Sequence, residues 1–325
     1  MKRRVDMRVL LGTYGVVVAL VLLVAFGWWR YENFLGMFNV MSVLRYNSMF
    51  ALVALGMCFV IMTGGIDLSV GSTAALGSVA AALGSHYGII PGIVGGVGAG
   101  LLVGTVNGTL VTRLNIMPFI ATLATMLAAS GAALLLANNQ SVSISYETGF
   151  MNLGQGNIWI LPIPAVIAAL AYVAGSVILN FTSAGRTVLA IGGNEDATNM
   201  MGLRTERIKF LTYLASGSLA GLAGVILAAQ FGAGQPIEGV GWELFAIAAV
   251  VVGGTLLTGG MGSVGTTLAG VLLLGILFNM LNFENGMGWI SLSAYWQSVI
   301  RGGFLLVVVI IQARLMSKEA KHVTS

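Results

Sequence analysis

The segment FALVALGMCFVIMTGGIDLSVGSTAALGSVAAALG, residues 50–84, decides the fold because two apolar runs flank a single carboxylate, Asp67. The runs predict two membrane helices, near residues 46–63 and 68–84. The connection between them is too short for an ordinary loop, so an unwound or re-entrant segment is expected there. A charge inside a membrane costs about 2.5 to 3.5 kcal/mol on insertion scales. Asp67 therefore requires a structural or functional reason.

The composition places the whole chain in a membrane. Of its 325 residues, 57% are hydrophobic and only 8% are charged, and the mean hydropathy is +0.94. Soluble chains carry roughly 25% charged residues. The net charge of +4 is spread over short loops, and without a dense basic patch it does not predict a nucleic-acid partner. We expect membrane lipid to surround the chain.

Hydropathy predicts about ten spans in an all-α helical bundle, forming one transmembrane domain over residues 1–325. The short connections at 63–68 and 258–263 indicate broken or re-entrant segments. The predicted spans lie near residues 9–28, 46–63, 68–84, 91–112, 117–137, 161–181, 210–231, 243–258, 263–281 and 293–313.

Basic residues predict the orientation of these spans. If ten spans alternate from a cytoplasmic N-terminus, Arg30 and Arg45 fall outside and Arg301 lies within the last span. The other twelve of the 15 basic residues then lie in the cytoplasm. Positive residues concentrate on that side of membrane proteins. We therefore expect both termini to be cytoplasmic, in a multi-pass membrane protein.

One span shows a regular spacing of small residues. Residues i and i+4 share a helix face, and small residues let membrane helices approach closely. Beside this predicted groove, Asn107 needs a hydrogen-bond partner, either on another helix or on a transported solute. The glycines of the groove are Gly92, Gly96, Gly100, Gly104 and Gly108.

The chain lacks the sequence signatures of common catalytic sites. It contains no GxxxxGK[ST] loop to bind ATP, no HExxH motif and no GxSxG elbow. Cys58 is the single cysteine, and His86 and His322 are the two histidines. We therefore predict no catalytic residue, no metal site and no cofactor in this chain, which is not expected to be an enzyme.

The longest predicted cytoplasmic connection is residues 182–209, and it predicts a helix of about two turns. Asn194 can cap its N-terminus, where Glu195 and Asp196 complement the helix dipole. Gly202 can end it in the left-handed conformation. Between these ends lie Met200 and Met201, flexible apolar side chains suited to a partner's pocket. The alternative is an ordinary loop helix lying on the membrane.

These motifs resemble those of a known family. The chain is similar, nearly end to end, to the permease subunits of bacterial ABC importers of ribose and related sugars. The resemblance lies in four segments in this order: TGGIDLSVGS (63–72), VNGTLVTRLNIMPFIATL (106–123), AIGGNEDATNMMGL (190–203) and GWELFAIAAVVVGGTLLTGGMGSVGTTLAG (241–270).

The resemblance implies the fold of an ABC importer permease, and it implies partners. A second permease subunit, identical or different, would complete the translocation pathway. A cytoplasmic ATPase, commonly one chain with two nucleotide-binding halves, would bind ATP and Mg²⁺. A periplasmic sugar-binding protein would deliver the solute, and the chain would lie in the bacterial inner membrane. Residues 194–202 would then form the coupling helix that lodges in the ATPase.

The resemblance leaves the roles of the intramembrane polar residues open. Asp67 and the neighbouring Ser69 belong to the first motif. Asp67 can pair with Arg301, can cap the next helix through free N–H groups, or can line the pathway. Glu243 begins a span and can stabilise a helix N-terminus. Arg301 lies near mid-span, where a cation requires a carboxylate or a water-filled cavity.

The alternative function is an ion- or proton-coupled secondary transporter. In such a carrier, Asp67, Glu243 and Arg301 would handle the coupling ion, and broken helices near the membrane midplane are common there. A purely structural membrane scaffold would leave the buried polar groups unexplained. The sequence does not identify the solute, and it does not decide between a homodimer and a heterodimer.

Overall fold

The computed structural model describes residues 7–286 and, beyond them, residues 296, 299, 300, 302, 303 and 306. Twelve helices and four two-residue strands make up the described part. In chain order they are α1 (Met7–Arg30), α2 (Met37–Met62), α3 (Val70–Ser85), α4 (Ile89–Thr112), α5 (Pro118–Leu136), β1 (Val142–Ser143), α6 (Asn152–Gln155), β2 (Asn157–Ile158), β3 (Leu161–Pro162), α7 (Ile163–Phe181), α8 (Ser183–Gly193), α9 (Glu195–Met200), α10 (Thr205–Phe231), β4 (Ala233–Gly234), α11 (Trp242–Val252) and α12 (Val264–Gly286).

Six of the described helices are long and apolar enough to cross a membrane, namely α2, α4, α5, α7, α10 and α12. Three more apolar helices are shorter: Gly15–Arg30 within α1, Val70–Ser85 and Trp242–Val252. The two shortest of these, α3 and α11, adjoin the irregular connections 63–69 and 253–263. The chain is thus an all-α polytopic membrane protein with interrupted helices.

Nine of the ten predicted spans overlap described helices, but the count of about ten stays a prediction, because six of the described helices are long and apolar enough to cross a membrane. Helix α11 ends at Val252, six residues before the predicted end at 258. Helix α2 begins at Met37, nine residues before the predicted span at 46. The predicted span 293–313, with Arg301 in it, lies outside the described residues apart from a few isolated positions. Outside the helices, two antiparallel strand pairs, β1 with β4 and β2 with β3, were not predicted.

The predicted glycine groove on α4 is confirmed, and its partner is α10. All five glycines of the groove are buried, namely Gly92, Gly96, Gly100, Gly104 and Gly108. A Cβ at Gly100 would collide with the carbonyl of Gly217, and one at Gly104 would lie 2.6 Å from the carbonyl of Tyr213. Backbone therefore meets backbone where the two helices cross, a contact that larger side chains would prevent.

The helix ends fall into two groups, which we name the Ser143 end and the Gly192 end. At the Ser143 end, Ser143 pairs with Ala233, and His86 Nε2 lies 3.1 Å from the Ser143 carbonyl. At the Gly192 end, Gly260 N donates to the carbonyl of Met62 at 3.0 Å. This grouping is the one that alternating spans predict.

A small cluster at the Ser143 end joins the loop after α1 to the end of α12. Tyr31 Oη donates to Glu284 Oε1 at 2.7 Å, and Arg30 lies 3.5 Å from the same oxygen. Burial and the Glu284 carboxylate raise the pKa of Tyr31 to about 12. The phenol therefore stays protonated at neutral pH and continues to donate this hydrogen bond.

Candidate functional site

A cavity of about 840 Å³ lies between α2, α11 and α12, toward the Ser143 end. This volume is within the range of small-molecule sites, roughly 300 to 1,000 Å³. Its wall combines aromatic rings, carboxamides and two charged side chains. These aromatic, carboxamide and charged residues of the wall are Arg45, Tyr46, Asn47, Phe50, Gln155, Gln230, Glu238, Trp242, Phe245, Phe278, Asn279 and Asn282.

The aromatic part of the wall is continuous. Phe50 of α2 packs against Trp242 and Phe245 of α11, with ring centroids 4.7 and 4.5 Å apart. Phe245 in turn lies 5.8 Å from Phe278 of α12, and Tyr46 lies 5.4 Å from Phe50. Tilted pairs at these distances stabilise one another beyond simple burial. The rings therefore form a fixed apolar surface along one side of the cavity.

Hydrogen bonds fix several of the carboxamides. Asn279 and Asn39 each donate an Nδ2 hydrogen to the other's Oδ1, at 2.9 and 3.1 Å. Asn47 Nδ2 donates to the carbonyl of Val43 at 2.8 Å. A Cβ at Gly275 would collide with the Asn47 carboxamide. Glycine at this position of α12 therefore makes room for Asn47 at the cavity wall.

Two polar atoms in this wall are buried and hydrogen-bond to no other described residue: Arg45 Nε and Gln230 Oε1. The rest of Arg45 is held, because its Nη2 donates to Asn157 Oδ1 at 3.0 Å. Likewise, Gln155 Nε2 donates to the backbone carbonyl of Gln230 at 2.9 Å. The wall thus offers one free donor and one free acceptor on side chains that are otherwise positioned.

The predicted intramembrane residues Asp67, Ser69 and Asn107 come together, but not at this cavity. Asp67 is fully buried. Its Oδ1 accepts from the backbone N and from the Oγ of Ser69, at 3.0 and 2.6 Å. Its Oδ2 accepts from Ser216 Oγ at 2.8 Å. Asn107 Nδ2 donates to Ser69 Oγ at 2.8 Å, and Thr125 Oγ1 donates to Asn107 Oδ1 at 2.6 Å.

This network joins four helices. Ser69 immediately precedes α3, and the other partners lie on α4, α5 and α10. The backbone N–H that Asp67 accepts belongs to Ser69, the residue just before α3, so the predicted capping of that helix by Asp67 stays a prediction. Among the alternatives for Asn107, the helix-to-helix hydrogen bond is the one present.

The other two predicted residues lie elsewhere. Glu243 is in the first turn of α11 and is half-buried against the start of α3, where a Cβ at Gly71 would lie 2.8 Å from its Oε2. Glu243 is not part of the wall of the 840 Å³ cavity. Arg301 lies outside the described residues, so its pairing with Asp67 stays a prediction.

At the Gly192 end, three separate segments meet backbone to backbone. The connection after α2 and the connection after α11 are joined by the hydrogen bond from Gly260 N to the Met62 carbonyl. The end of α8 lies on this junction, because a Cβ at Gly192 would collide with both Met62 O and Gly260 N. At the next residue, Gly193, an added Cβ would meet nothing within 4 Å. Helix α8 therefore contacts both broken connections at one point.

Directly after α8 comes the predicted short helix, and its predicted ends are confirmed. Asn194 Oδ1 accepts from Ala197 N at 2.9 Å, and Gly202 adopts a φ of 76°. Glu195 and Asp196 lie in the first turn of α9, and Lys209 Nζ lies 2.9 Å from both Glu195 carboxylate oxygens. The whole of α8 was missed by the sequence analysis, which expected only this second helix.

The two methionines after this cap face solvent. The exposed fraction is 89% for Met200 and 67% for Met201, whereas the neighbouring Thr198 is buried. An apolar pair of this kind, presented on a capped and salt-bridged helix, forms a small contact surface outside the membrane-spanning bundle.

Sequence analysis missed the cavity wall, Ser216 and the junction at Gly192. One signal was present in the sequence: TGGIDLSVG (63–71) and TGGMGSVG (258–265) repeat a Thr-Gly-Gly turn followed by Ser-Val-Gly. The two copies are the two broken connections that meet in the structure. No comparable spacing marks the cavity, whose residues come from distant segments.

A family model described as "Branched-chain amino acid transport system / permease component" matches residues 39–309. The ribose import permease protein RbsC of Bacillus subtilis (strain 168) is 41% identical over 285 residues, which cover 87% of each chain. RbsC of Escherichia coli (strain K12) is 36% identical over 300 residues, covering 91% of this chain and 92% of the relative.

A second kind of relative is also similar. The L-arabinose transport system permease protein AraH of Escherichia coli (strain K12) is 38% identical over 280 residues, covering 86% of this chain and 83% of the relative. No solved structure shows a significant match to the chain.

Proposed function

The chain belongs to the family of branched-chain amino acid transport system permease components, and on this premise we propose that it admits a sugar or a sugar-like solute. It is the transmembrane permease subunit of an ABC importer, and ATP hydrolysis belongs to a separate subunit. The family description refers to amino acids, but the relatives described above are ribose and L-arabinose permeases at 36% to 41% identity. Those relatives support a sugar.

Two observations favour the importer function over an ion-coupled carrier. Permeases of known importers match this chain over at least 83% of their own length. Asp67, which an ion-coupled carrier would use, accepts hydrogen bonds from Ser69 and Ser216 inside the bundle. We assign Asp67, Ser69 and Asn107 a structural role, because they bond to one another and to the helices around them.

A permease of this family works with an ATPase and a periplasmic binding protein. We propose in addition that the ATPase is one chain with two nucleotide-binding halves, and that Mg-ATP binds there. Two permease subunits, identical or different, would enclose the pathway. The Gly192 end would face the cytoplasm together with both termini, and the Ser143 end would face the binding protein.

One observation carries the proposed coupling to ATP hydrolysis: α8 touches both broken connections through Gly192 and leads directly into α9 with its exposed methionines. The segment Asn194–Gly202 would dock in the ATPase, with Met200 and Met201 in an apolar pocket. A displacement of this segment would then reach both connections at once, since no flexible linker separates α8 from α9.

Reconstitution tests this function. The permease, its ATPase and its binding protein would be assembled in proteoliposomes, and uptake of radiolabelled D-ribose and L-arabinose would be measured. We expect uptake to require ATP and all three components. Uptake by the permease alone, driven by a proton or sodium gradient, would contradict the proposal and restore the carrier alternative.

A further inference from the structure

We infer that the cavity between α2, α11 and α12 is a binding site for an uncharged polyhydroxy solute, so that this permease itself recognises its cargo. The inference rests on the proposed function and goes further, since it assigns recognition to named residues of this chain. Selectivity would then not rest on the binding protein alone. Three features of the wall carry it.

The first feature is the aromatic surface. The rings of Phe50, Trp242, Phe245 and Phe278 form one continuous wall. A cyclic sugar presents C–H groups on its faces and hydroxyl groups around its edge. Its apolar face can lie against such rings while the edge stays available for hydrogen bonds.

The second feature is the carboxamide chemistry of the wall. Carboxamides supply a donor and an acceptor on the same side chain, and a hydroxyl group likewise both donates and accepts. Five of them line the cavity, Asn47, Gln155, Gln230, Asn279 and Asn282. Amide-rich walls therefore suit a solute with many hydroxyls.

The third feature is the pair of buried atoms without a partner in the described chain, Arg45 Nε and Gln230 Oε1. A buried polar atom without a hydrogen-bond partner costs free energy, so each of these atoms favours a ligand that forms the missing hydrogen bond. One requires an acceptor and the other a donor, and separate hydroxyls of one solute can supply both.

Charge distinguishes this ligand class from amino acids. Of the described residues in the wall, Arg45 and Glu238 are charged, so their formal charges cancel. Arg45 is already engaged with Asn157, and Glu238 is exposed at the surface. Arg45 still has an unpartnered Nε–H, but its Nη2 is already taken by Asn157, so a two-pronged contact with a carboxylate through Nε and Nη2 would have to displace that bond. A neutral solute is therefore favoured over a zwitterion.

Cysteine protection tests the site in the permease–ATPase assembly in nanodiscs, without binding protein. Ser42 and Ala248 line the cavity, so Ser42→Cys and Ala248→Cys would each be placed in a Cys58→Ala background and labelled with a water-soluble maleimide. The probes would be D-ribose, L-arabinose, D-glucose and, as the zwitterion, L-leucine. A solute at ten times its dissociation constant leaves about one site in eleven free, so labelling should slow about tenfold.

We expect at least one sugar to protect both positions, and L-leucine to protect neither. Ser141→Cys, at an exposed position outside the cavity wall, should label at the same rate throughout. Gln230→Leu should abolish protection, whereas Gln140→Leu, a matched change at an exposed glutamine, should preserve it. Protection by L-leucine, or by none of the probes, would overturn the inference.

The two proposals fail in different ways. If the wild-type assembly imports a sugar with ATP but no sugar protects the two cysteines, only the assignment of the cavity is wrong. If the complete assembly imports no sugar at all, the proposed function is wrong as well. Uptake in proteoliposomes and protection in nanodiscs would use the same batch of purified permease and ATPase, so the two results are comparable.

Discussion

Ser216 of α10 donates a hydrogen bond of 2.8 Å to Asp67, 149 residues earlier in the chain. Both residues are fully buried. The bond ties the broken connection before α3 to the middle of α10, and Ser69 and Asn107 complete the network. A carboxylate in the membrane is thus accounted for by a junction of four helices.

Replacing Asp67 by Ala should destabilise the permease. The change leaves Ser69 and Ser216 without their shared acceptor, and each buried unsatisfied group costs about 1 to 3 kcal/mol. We expect a clear fall in the thermal unfolding temperature of the detergent-solubilised protein, measured by size-exclusion chromatography after heating. Ser216→Ala, which removes one of these hydrogen bonds, should have a smaller effect.

The control for this change is Glu147→Ala, which removes a carboxylate from an exposed loop position. Such surface changes usually stay within about 0.5 kcal/mol. If Asp67→Ala unfolded at the wild-type temperature yet abolished transport, the carboxylate would have a role in the pathway and not the structural one assigned above.

The crossing of α4 and α10 gives a second prediction. Gly100→Ala should destabilise, because the added Cβ would collide with the carbonyl of Gly217, and overpacking of this kind typically costs about 1 to 3 kcal/mol. Gly98→Ala is the matched control on the same helix, since a Cβ there meets nothing within 4 Å. The same heating assay compares them. Equal unfolding temperatures for the two variants would show that the helices do not cross so closely.

Local rules made part of this structure predictable. The i+4 spacing of glycines marked the groove of α4, and the Asn194 cap and Gly202 terminus followed from chemistry within one helical turn. The start of α2 was placed too late because hydropathy records apolarity and not helicity. Its first turns carry Asn39, Arg45 and Asn47, which lower the hydropathy although the backbone is helical.

Contacts between distant segments could not be predicted in the same way. Ser216 looks like any other serine in an apolar span, and nothing in the local sequence pairs it with Asp67. The cavity likewise combines α2, α11 and α12, whose residues are far apart in the chain. Only the repeated Thr-Gly-Gly turn gave a hint that the connections at 63 and 258 are related.

Substitutions of the adjacent glycines Gly192 and Gly193 test the contact between the end of α8 and the two broken connections. Gly192→Ala would push a Cβ into Met62 O and Gly260 N, whereas Gly193→Ala meets open space. If this contact transmits movement, Gly192→Ala should reduce transport severely in proteoliposomes while the ATPase still co-purifies and hydrolyses ATP. Gly193→Ala should transport normally. Equal transport by both variants would mean that the junction does not transmit the movement.

The orientation of the two ends is tested by labelling. Ser183 begins α8 near the Gly192 end, and Ser141 precedes β1 at the Ser143 end; both are exposed. Single cysteines at these positions in a Cys58→Ala background should react from opposite sides of the membrane. A membrane-impermeant maleimide added to intact spheroplasts should label Ser141→Cys alone. Labelling of both would contradict the alternating topology.

The exposed methionines of α9 allow the most specific test of coupling. Met200→Asp with Met201→Asp should place two charges in the apolar contact with the ATPase, and burying even a polar group without a partner costs more than about 2 kcal/mol. Both side chains face solvent in this chain, so insertion and folding should survive. The expected phenotype is a permease with a wild-type unfolding temperature that loses both the co-purifying ATPase and ATP-driven uptake.

The matched control for this pair is Met200→Leu with Met201→Leu. It keeps two apolar side chains of similar volume, a change that usually costs less than about 1.5 kcal/mol, so ATPase binding and uptake should be largely retained. The comparison separates loss of apolar contact from loss of methionine itself. Because α9 follows α8 directly, a displacement of the methionines would reach Met62 and Gly260 through α8. Should the double Asp variant keep its ATPase and its normal uptake, Asn194–Gly202 is not the coupling segment.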